Sequence, residues 1–451
     1  MSSFDVIVIG LGPGGEHVAG SLADAGLSVL GVDHGLVGGE CPYWGCVPSK
    51  MMIRAADALA EARRVPGLGG DTGAVRPDWT TVATRIREEA TDRWDDSVAV
   101  QRFEDKGGTF VRGTGRVVGQ GRVEVDGVTY SAGRGVVLAT GTQPAVPPIE
   151  GLEDVPYWTN HEAIEAKELP ESLVVLGGGA IGCELAQVFA RFGVAVTVVE
   201  MAPHLVAGDE PEVGEALAEV FAEEGIRVLT GAEVQRAGRD GDQVVLTTAD
   251  GTVTAERLLV ATGRRVDLAG LGVAALGLDD QAGSLPVDGR CRVTDGVWGV
   301  GDVTGEGAFT HVAMYQAEIV IADLLGRDHP EADYRGLPRV TFTDPEVGAV
   351  GMTEQQARDA GITVRTGSAQ VPSTARGWIH KAGNEGLIKL VEDTERGVLV
   401  GATAMSPAGG EVLGALAVAV SAQVPTAALR SMIYAYPTFH RGIEDALRDL
   451  G

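Results

Sequence analysis

Cys41 and Cys46 are the residues of this chain whose type and spacing most directly imply chemistry. They lie in the run Gly-Gly-Glu-Cys-Pro-Tyr-Trp-Gly-Cys-Val-Pro-Ser-Lys at 38–50. In a regular helix the two Cα atoms would stand about 7.5 Å apart along the axis, beyond the reach of a disulfide. A bond between them therefore requires Cys41 in a turn and Cys46 in the opening turn of a helix, and Pro42 and Gly45 permit that departure. A thiolate at a helix N-terminus is stabilised by the exposed amides, which makes it reactive near neutral pH. Two buried thiols without a redox role are the alternative, and the dinucleotide-binding pattern immediately upstream weighs against it.

That pattern is the first of two. Phe4–Gly10 is a short apolar run, Gly12-Pro-Gly-Gly15 turns it, and Glu16–Ala25 has helical spacing before a second strand over Ser28–Val32. In this βαβ unit Gly10 permits the tight turn and Gly12 lets backbone approach a pyrophosphate. Gly14 belongs to the same turn, Gly15 brings helix and strand together, and Asp33 is placed for a ribose hydroxyl. The same grammar recurs as Leu173–Gly179, Ala180–Phe192 and Val194–Glu200, with Gly177, Gly179 and Gly182 as the glycines. The step from Gly10 to Asp33 equals that from Gly177 to Glu200, which makes two nucleotide sites the better reading than one site and an accident. Glu200 is followed by Met-Ala-Pro-His without arginine, so NADH is expected over NADPH; His204, Arg264 or Arg265 are the positive charges that could reverse this.

At 451 residues the chain is long enough for about three domains. With 36 Lys and Arg against 63 Asp and Glu, the net charge of −27 disfavours nucleic acid and anionic membrane as partners. No leader-like segment opens the chain, and the apolar run Leu413–Val424 is too short to span a bilayer, so a cytoplasmic protein is expected. Four cysteines are too few for a disulfide scaffold, and eight histidines without nearby cysteine partners give no metal site. Helices are expected over Met51–Arg63, Trp79–Gln101, Thr353–Ala360 and Gly410–Val420. Antiparallel strands are expected within Gly108–Tyr130, and further strands at Arg339–Thr343, Thr363–Gln370, Gly386–Glu392 and Gly397–Ala404.

In this order, the motifs resemble those of the flavoprotein pyridine nucleotide-disulfide oxidoreductases, the family of dihydrolipoamide dehydrogenase, glutathione reductase and mercuric reductase. The resemblance runs through the first glycine turn, Cys41–Lys50, Ala139-Thr140-Gly141, the second glycine turn with Glu184, Ala261-Thr-Gly263-Arg264, Gly301-Asp302, Phe342–Glu346 and Val350–Glu354. It implies an α/β fold of two Rossmann-like domains, for FAD at 1–150 with 268–330 and for NAD(P) at 151–267. An α+β interface domain at 335–451 would then form a homodimer. It further implies that Asp302 meets the ribityl and phosphate region of FAD, with Lys50, Thr140 and Gly141 nearby. Gly177, Gly179, Gly182, Glu200 and Gly263 would hold the nicotinamide nucleotide. Cys46 would be the sulfur nearest the flavin, Cys41 the outer sulfur that exchanges with substrate, and Lys50 with Glu184 the ion pair beside the reactive flavin atoms. Electrons would pass from NADH through FAD to the disulfide and on to an acceptor.

The C-terminus departs from the family. Tyr436-Pro437-Thr438-Phe439-His440-Arg441 stands where the family carries its histidine base and orienting glutamate, so Tyr436 replaces the histidine and Arg441 the glutamate. A phenol with a pKa near 10 is a poor base at pH 7. His440 is the alternative proton carrier, or else a surface or packing residue. Tyr43, Trp44 and Tyr434 either crowd the substrate side or pack between domains. The leading function is reduction of a small disulfide other than lipoamide or glutathione. The competing ones are a dihydrolipoamide dehydrogenase-like enzyme, a quinone or metal-ion reductase, and a non-catalytic flavin-binding subunit.

Overall fold

The computed structural model describes residues 2–451 and divides by internal contact into two compact units. One comprises the chain up to Pro48, Arg85–Ala145 and Arg264–Asp333; the other comprises Ser49–Thr84, Val146–Gly263 and Tyr334–Gly451.

In the first unit, parallel strands run in the order Thr109–Arg112, Val29–Asp33, Ser2–Ile9, Val128–Leu138 and Val297–Gly299, with Arg292–Thr294 antiparallel at one edge. Val6, Ile7, Val8 and Ile9 are all buried, as in a parallel strand covered on both faces. The helix Pro13–Asp24 lays Val18, Ala19 and Leu22 on one face together with Ile319 and Val320 of the helix Thr310–Leu324. Ile7, Ile9, Leu30 and Leu138 face a separate core on the other side.

Two expectations need correction here. Gly108–Tyr130 is not wholly antiparallel, because Thr109–Arg112 joins the parallel sheet beside Val29–Asp33, and only the later strands form the meander. Trp79–Gln101 is not one helix. It breaks after Ala90, where the Thr91 hydroxyl donates to the Ile86 carbonyl and Asp92, Arg93 and Trp94 all take positive φ. A second helix then starts at Ser97. The break leaves Asp96 free of the helix, and its carboxylate accepts from the Val37 amide and the Arg112 guanidinium.

The second unit holds a four-stranded parallel sheet, with Ser172–Leu176 between Ala195–Val199 and Arg257–Val260 and with Arg227–Leu229 at the edge. The helix Ala180–Arg191 is buried nearly throughout. Trp79 packs on Phe189 and Phe192 and donates its indole N–H to the Ala166 carbonyl. A five-stranded antiparallel sheet follows, including a strand at Glu346–Gly351 that the sequence reading did not anticipate. Helix Gly409–Ser421 covers it with Val412, Leu413 and Leu416. No helix among the described residues is long and apolar enough to cross a membrane, and none of their acidic, histidine or cysteine side chains cluster as a metal site.

Candidate active site

Cys41 lies in the short helix Glu40–Tyr43, and Cys46 is the first residue of the helix Cys46–Arg64. Gly45 makes the turn between them possible: a Cβ there would stand 3.0 Å from the Glu40 carbonyl oxygen and 3.4 Å from the Cys41 Cα. Both cysteines are thiols, Cys41 half-buried and Cys46 exposed. Hydrogen bonding to Cys46 and then burial push the Cys41 thiol well above its ordinary pKa, opposed by the Thr310 hydroxyl. That hydroxyl also lies 3.5 Å from the Cys46 Sγ. Thr310 opens its own helix and is 264 residues away in sequence, so no local pattern pointed to it. The rings of Tyr43 and Trp44 lie 5.9 Å apart, tilted by 55°.

In the same unit, Gly10 has φ +90° and a Cβ there would collide with the Ala139 carbonyl. A Cβ on Gly15 would collide with the Gly10 carbonyl, and one on Gly14 would meet Val300 and Ala313. A Cβ on Gly12 would meet nothing within 4 Å, which leaves room for a phosphate at the helix N-terminus. Asp33 accepts from the Leu11 amide at 2.6 Å and the Gly35 amide at 2.8 Å, which orients its carboxylate at the strand end. Thr140 is exposed beside Gly141, which has φ +62°. Asp302 is held by Thr142 at 2.9 Å, and Thr142 in turn accepts Arg264 Nε at 2.7 Å. Burial raises the Asp302 pKa against the pull of Thr142 and Arg264. Arg264 also reaches the Thr142 carbonyl and stands 3.5 Å from Glu40. Its guanidinium is thus engaged within this unit. These residues fit an extended dinucleotide with a diphosphate over Gly12.

The second unit repeats the turn. Gly177 has φ +109° with the Ala261 carbonyl behind it, Gly182 meets the Gly177 carbonyl, and Gly179 is open. Glu200 accepts from the Gly178 amide at 2.5 Å and the Ala202 amide at 2.6 Å. Gly263 has φ +111° and no neighbour within 4 Å of a Cβ. His204 directs its Nδ1 to the Leu205 carbonyl. One turn into the helix, Glu184 is buried and pairs with Lys50 Nζ at 2.8 Å; its other oxygen accepts from the Phe342 amide at 2.8 Å. Lys50 also lies 4.7 Å from the centre of the Phe342 ring.

At the C-terminus, the Tyr436–Pro437 peptide is cis, and Tyr436 is 69% exposed. The Arg441 guanidinium lies 5.2 Å from the Tyr436 ring and pairs with Glu444 at 3.1 Å. His440 is half-buried with its ring 5.1 Å from that of Tyr434. Tyr434 is a core residue whose hydroxyl donates to the Leu429 carbonyl, and burial raises its pKa. Tyr434 thus packs within the core of the five-stranded sheet and its helices rather than between domains.

A family model described as pyridine nucleotide-disulphide oxidoreductase matches residues 4–317, and the corresponding dimerisation domain matches 337–447. A dihydrolipoyl dehydrogenase of Chlorobaculum tepidum is 34% identical over 99% of this chain and 97% of its own length. A mercuric reductase of Streptomyces lividans is 33% identical over 98% and 95%. Among solved structures, the HOCl-induced flavoprotein disulfide reductase RclA from Escherichia coli superposes with a TM-score of 0.85 at 26% identity, covering 98% of this chain and 99% of that one.

Proposed function

The chain belongs to the pyridine nucleotide-disulphide oxidoreductase family, FAD-dependent enzymes that use a pyridine nucleotide, and we propose that it passes electrons from NADH through Cys41 and Cys46 to a small disulfide other than lipoamide. Bound FAD supplies the two-electron chemistry that links the nucleotide to sulfur. The first glycine turn, with Asp33 and Asp302, holds it, while the second turn and Glu200 hold the nucleotide. Fixed between two backbone amides, the Glu200 carboxylate would repel a 2′-phosphate, which favours NADH. The Lys50–Glu184 pair is the charge pair beside the flavin. Match to the dimerisation domain supports a homodimer.

In the acceptor half, Cys41 first loses the proton that its hydrogen bond to Cys46 and burial hold on it; the thiolate then attacks one sulfur of the acceptor disulfide and expels the other as a thiolate, leaving a mixed disulfide. Cys46 then attacks the Cys41 sulfur, releases the second acceptor thiol and re-forms the Cys41–Cys46 bond. Thr310 can steady the Cys46 sulfur through its hydroxyl. The two product thiols take up two protons, so that overall NADH, one solvent proton and the acceptor disulfide give NAD+ and two thiols.

The observation that carries the choice of acceptor is the Tyr436–Arg441 stack. A guanidinium on a phenol ring neither accepts a proton at pH 7 nor orients a base, and a positioned base contributes roughly 10²–10⁴ in rate to dithiol oxidation. The expected result is slow turnover of dihydrolipoamide beside rapid flavin reduction by NADH, measured by steady-state and stopped-flow absorbance. Changing Tyr436→His together with Arg441→Glu should raise lipoamide turnover more than either change alone. Wild-type turnover at roughly hundreds per second, high for any enzyme, overturns the reading.

A second reading, delivery of electrons to a metal ion, is supported by relatives named mercuric reductase and by a solved neighbour titled as a Cu(II) complex of RclA. An acceptor screen with NADH against small disulfides, quinones and metal ions separates the two. Disulfide turnover that Cys41→Ser abolishes supports the first; metal-ion turnover without disulfide turnover supports the second.

A further inference from the structure

Within the second unit, the helix that begins at Cys46 and the helix Ala180–Arg191 are bridged twice. Lys50 meets Glu184 at 2.8 Å and Asp57 meets Arg191 at 2.6 Å. On each helix the two partners are seven residues apart, about two turns, so the bridges are successive rungs on facing stripes. The charges are exchanged between rungs: the cysteine helix offers lysine and then aspartate, its neighbour glutamate and then arginine. Between the rungs, Gln187 accepts from the Asp344 amide and donates to the Asp344 carbonyl, both at 2.8 Å. Arg191 also binds the Asp344 carboxylate at 2.7 Å. Segment Phe342–Asp344 is thereby fixed along the same stripe, and it presents the ring that flanks Lys50. Both neighbours of the Lys50 ammonium, Glu184 and Phe342, hang on this ladder.

The lower rung is costly to hold. Three carboxylates, Asp57, Glu224 and Asp344, share Arg191, which is 3% exposed. Arg64 takes part of the excess by pairing with Asp344 and Glu61, and Glu346 adds to the field. Burial, moderated by Arg191 and reinforced by Asp344 and Glu346, pushes Asp57 up to about 6. A carboxylate whose folded pKa lies above its unfolded value opposes folding when ionised. That cost is complete above about pH 6 and is relieved as pH falls toward the unfolded value near 3.9. A bridge between buried Arg191 and half-buried Asp57 that costs folding energy when ionised is weak grounds for a stabilising role, and its place on the ladder points to another.

We propose that Asp57 and Arg191 are positioning residues for flavin reduction, locking the cysteine helix against the nucleotide helix so that Lys50 stays on Glu184. The proposal rests on the assignment of Lys50–Glu184 as the charge pair beside the flavin. It is tested by stopped-flow reduction of the FAD-loaded enzyme with NADH between about pH 5 and pH 8.5. The wild-type rate should rise through an inflection near pH 6. Asp57→Asn should lose that inflection and slow reduction at pH 8 by on the order of ten- to a hundredfold, the scale of a displaced reacting group. Asp57→Glu should recover part of the rate, and the Tm of Asp57→Asn at pH 8 should equal or exceed that of wild type. A wild-type rate and inflection in Asp57→Asn overturn the proposal, as does a slowed rate with the inflection intact and Tm lowered. Lys50→Met separates the two levels. Normal reduction in that variant overturns the parent assignment, whereas slow reduction there with a normal Asp57→Asn overturns only the positioning role.

Discussion

The two glycine turns match bond for bond and differ in what surrounds them. In each, the first glycine donates to the end of the next strand, Gly10 to Val32 and Gly177 to Val199. The loop after the acid returns to the turn in both, Gly38 donating to the Leu11 carbonyl and Val206 to the Gly178 carbonyl. The acids each accept two amides. Around the first turn, however, Gly14 lies against Val300 and Ala313, and a Cβ on Gly39 would stand 2.8 Å from the Gly12 Cα. The second turn has Ile181 at the position matching Gly14, and a Cβ on Gly178 would stand 2.6 Å from the Leu205 side chain. Later segments of chain thus pack on the helix side of the first turn, where the second carries a larger side chain of its own.

The largest expected effects come from breaking each turn in the same way. Gly10→Ala and Gly177→Ala both force a side chain onto positive φ and into a carbonyl, with backbone strain of about 1–3 kcal/mol before the collision is counted. Gly10→Ala should yield protein without the absorbance of bound flavin. Gly177→Ala should remain yellow but lose reduction by NADH. Loss of flavin from the Gly177 variant alone would reverse the assignment of the two sites. A smaller effect should follow from Gly14→Ala, whose Cβ would lie 2.6 Å from Val300 Cγ1 and 3.0 Å from Ala313 Cβ. Overpacking of this kind costs roughly 1–3 kcal/mol, whereas Ile181→Ala, at a half-buried position, should cost less. Thermal unfolding of both variants checks the ranking.

Much of this was legible from local patterning, because each turn is encoded within a single βαβ stretch and the glycine and acid positions follow from its geometry. The cysteine turn was legible for the same reason, with Pro42 and Gly45 inside the motif. What escaped notice joins residues distant in sequence. Thr310 reaches Cys46, Thr142 and Arg264 brace Asp302, and Asp57 meets Arg191, none of which alters local periodicity. The break after Ala90 escaped for a related reason: the helical spacing continues through it, and only the tertiary bonds of Asp96 show why the chain turns.

The smallest effect tests the acid of the second turn. Glu200 is oriented by the Gly178 and Ala202 amides, so its negative charge is fixed at the strand end rather than free to swing away. Of the three candidates for opposing charge, Arg265 is exposed and the other two are committed elsewhere. His204 directs a ring nitrogen to the Leu205 carbonyl, and Arg264 is bonded to Thr142 in the first unit. Repulsion between Glu200 and a 2′-phosphate should therefore set nucleotide choice, with kcat/KM higher for NADH than for NADPH. Glu200→Gln keeps the side-chain length and one acceptor oxygen but removes the charge, so it should narrow the ratio by about tenfold, or 1.4 kcal/mol of differential binding. The change should come mostly from improved use of NADPH, since a neutral amide can still meet a ribose hydroxyl. A wild type that prefers NADPH, or a ratio untouched by Glu200→Gln, would mean that charge outside this turn governs the choice.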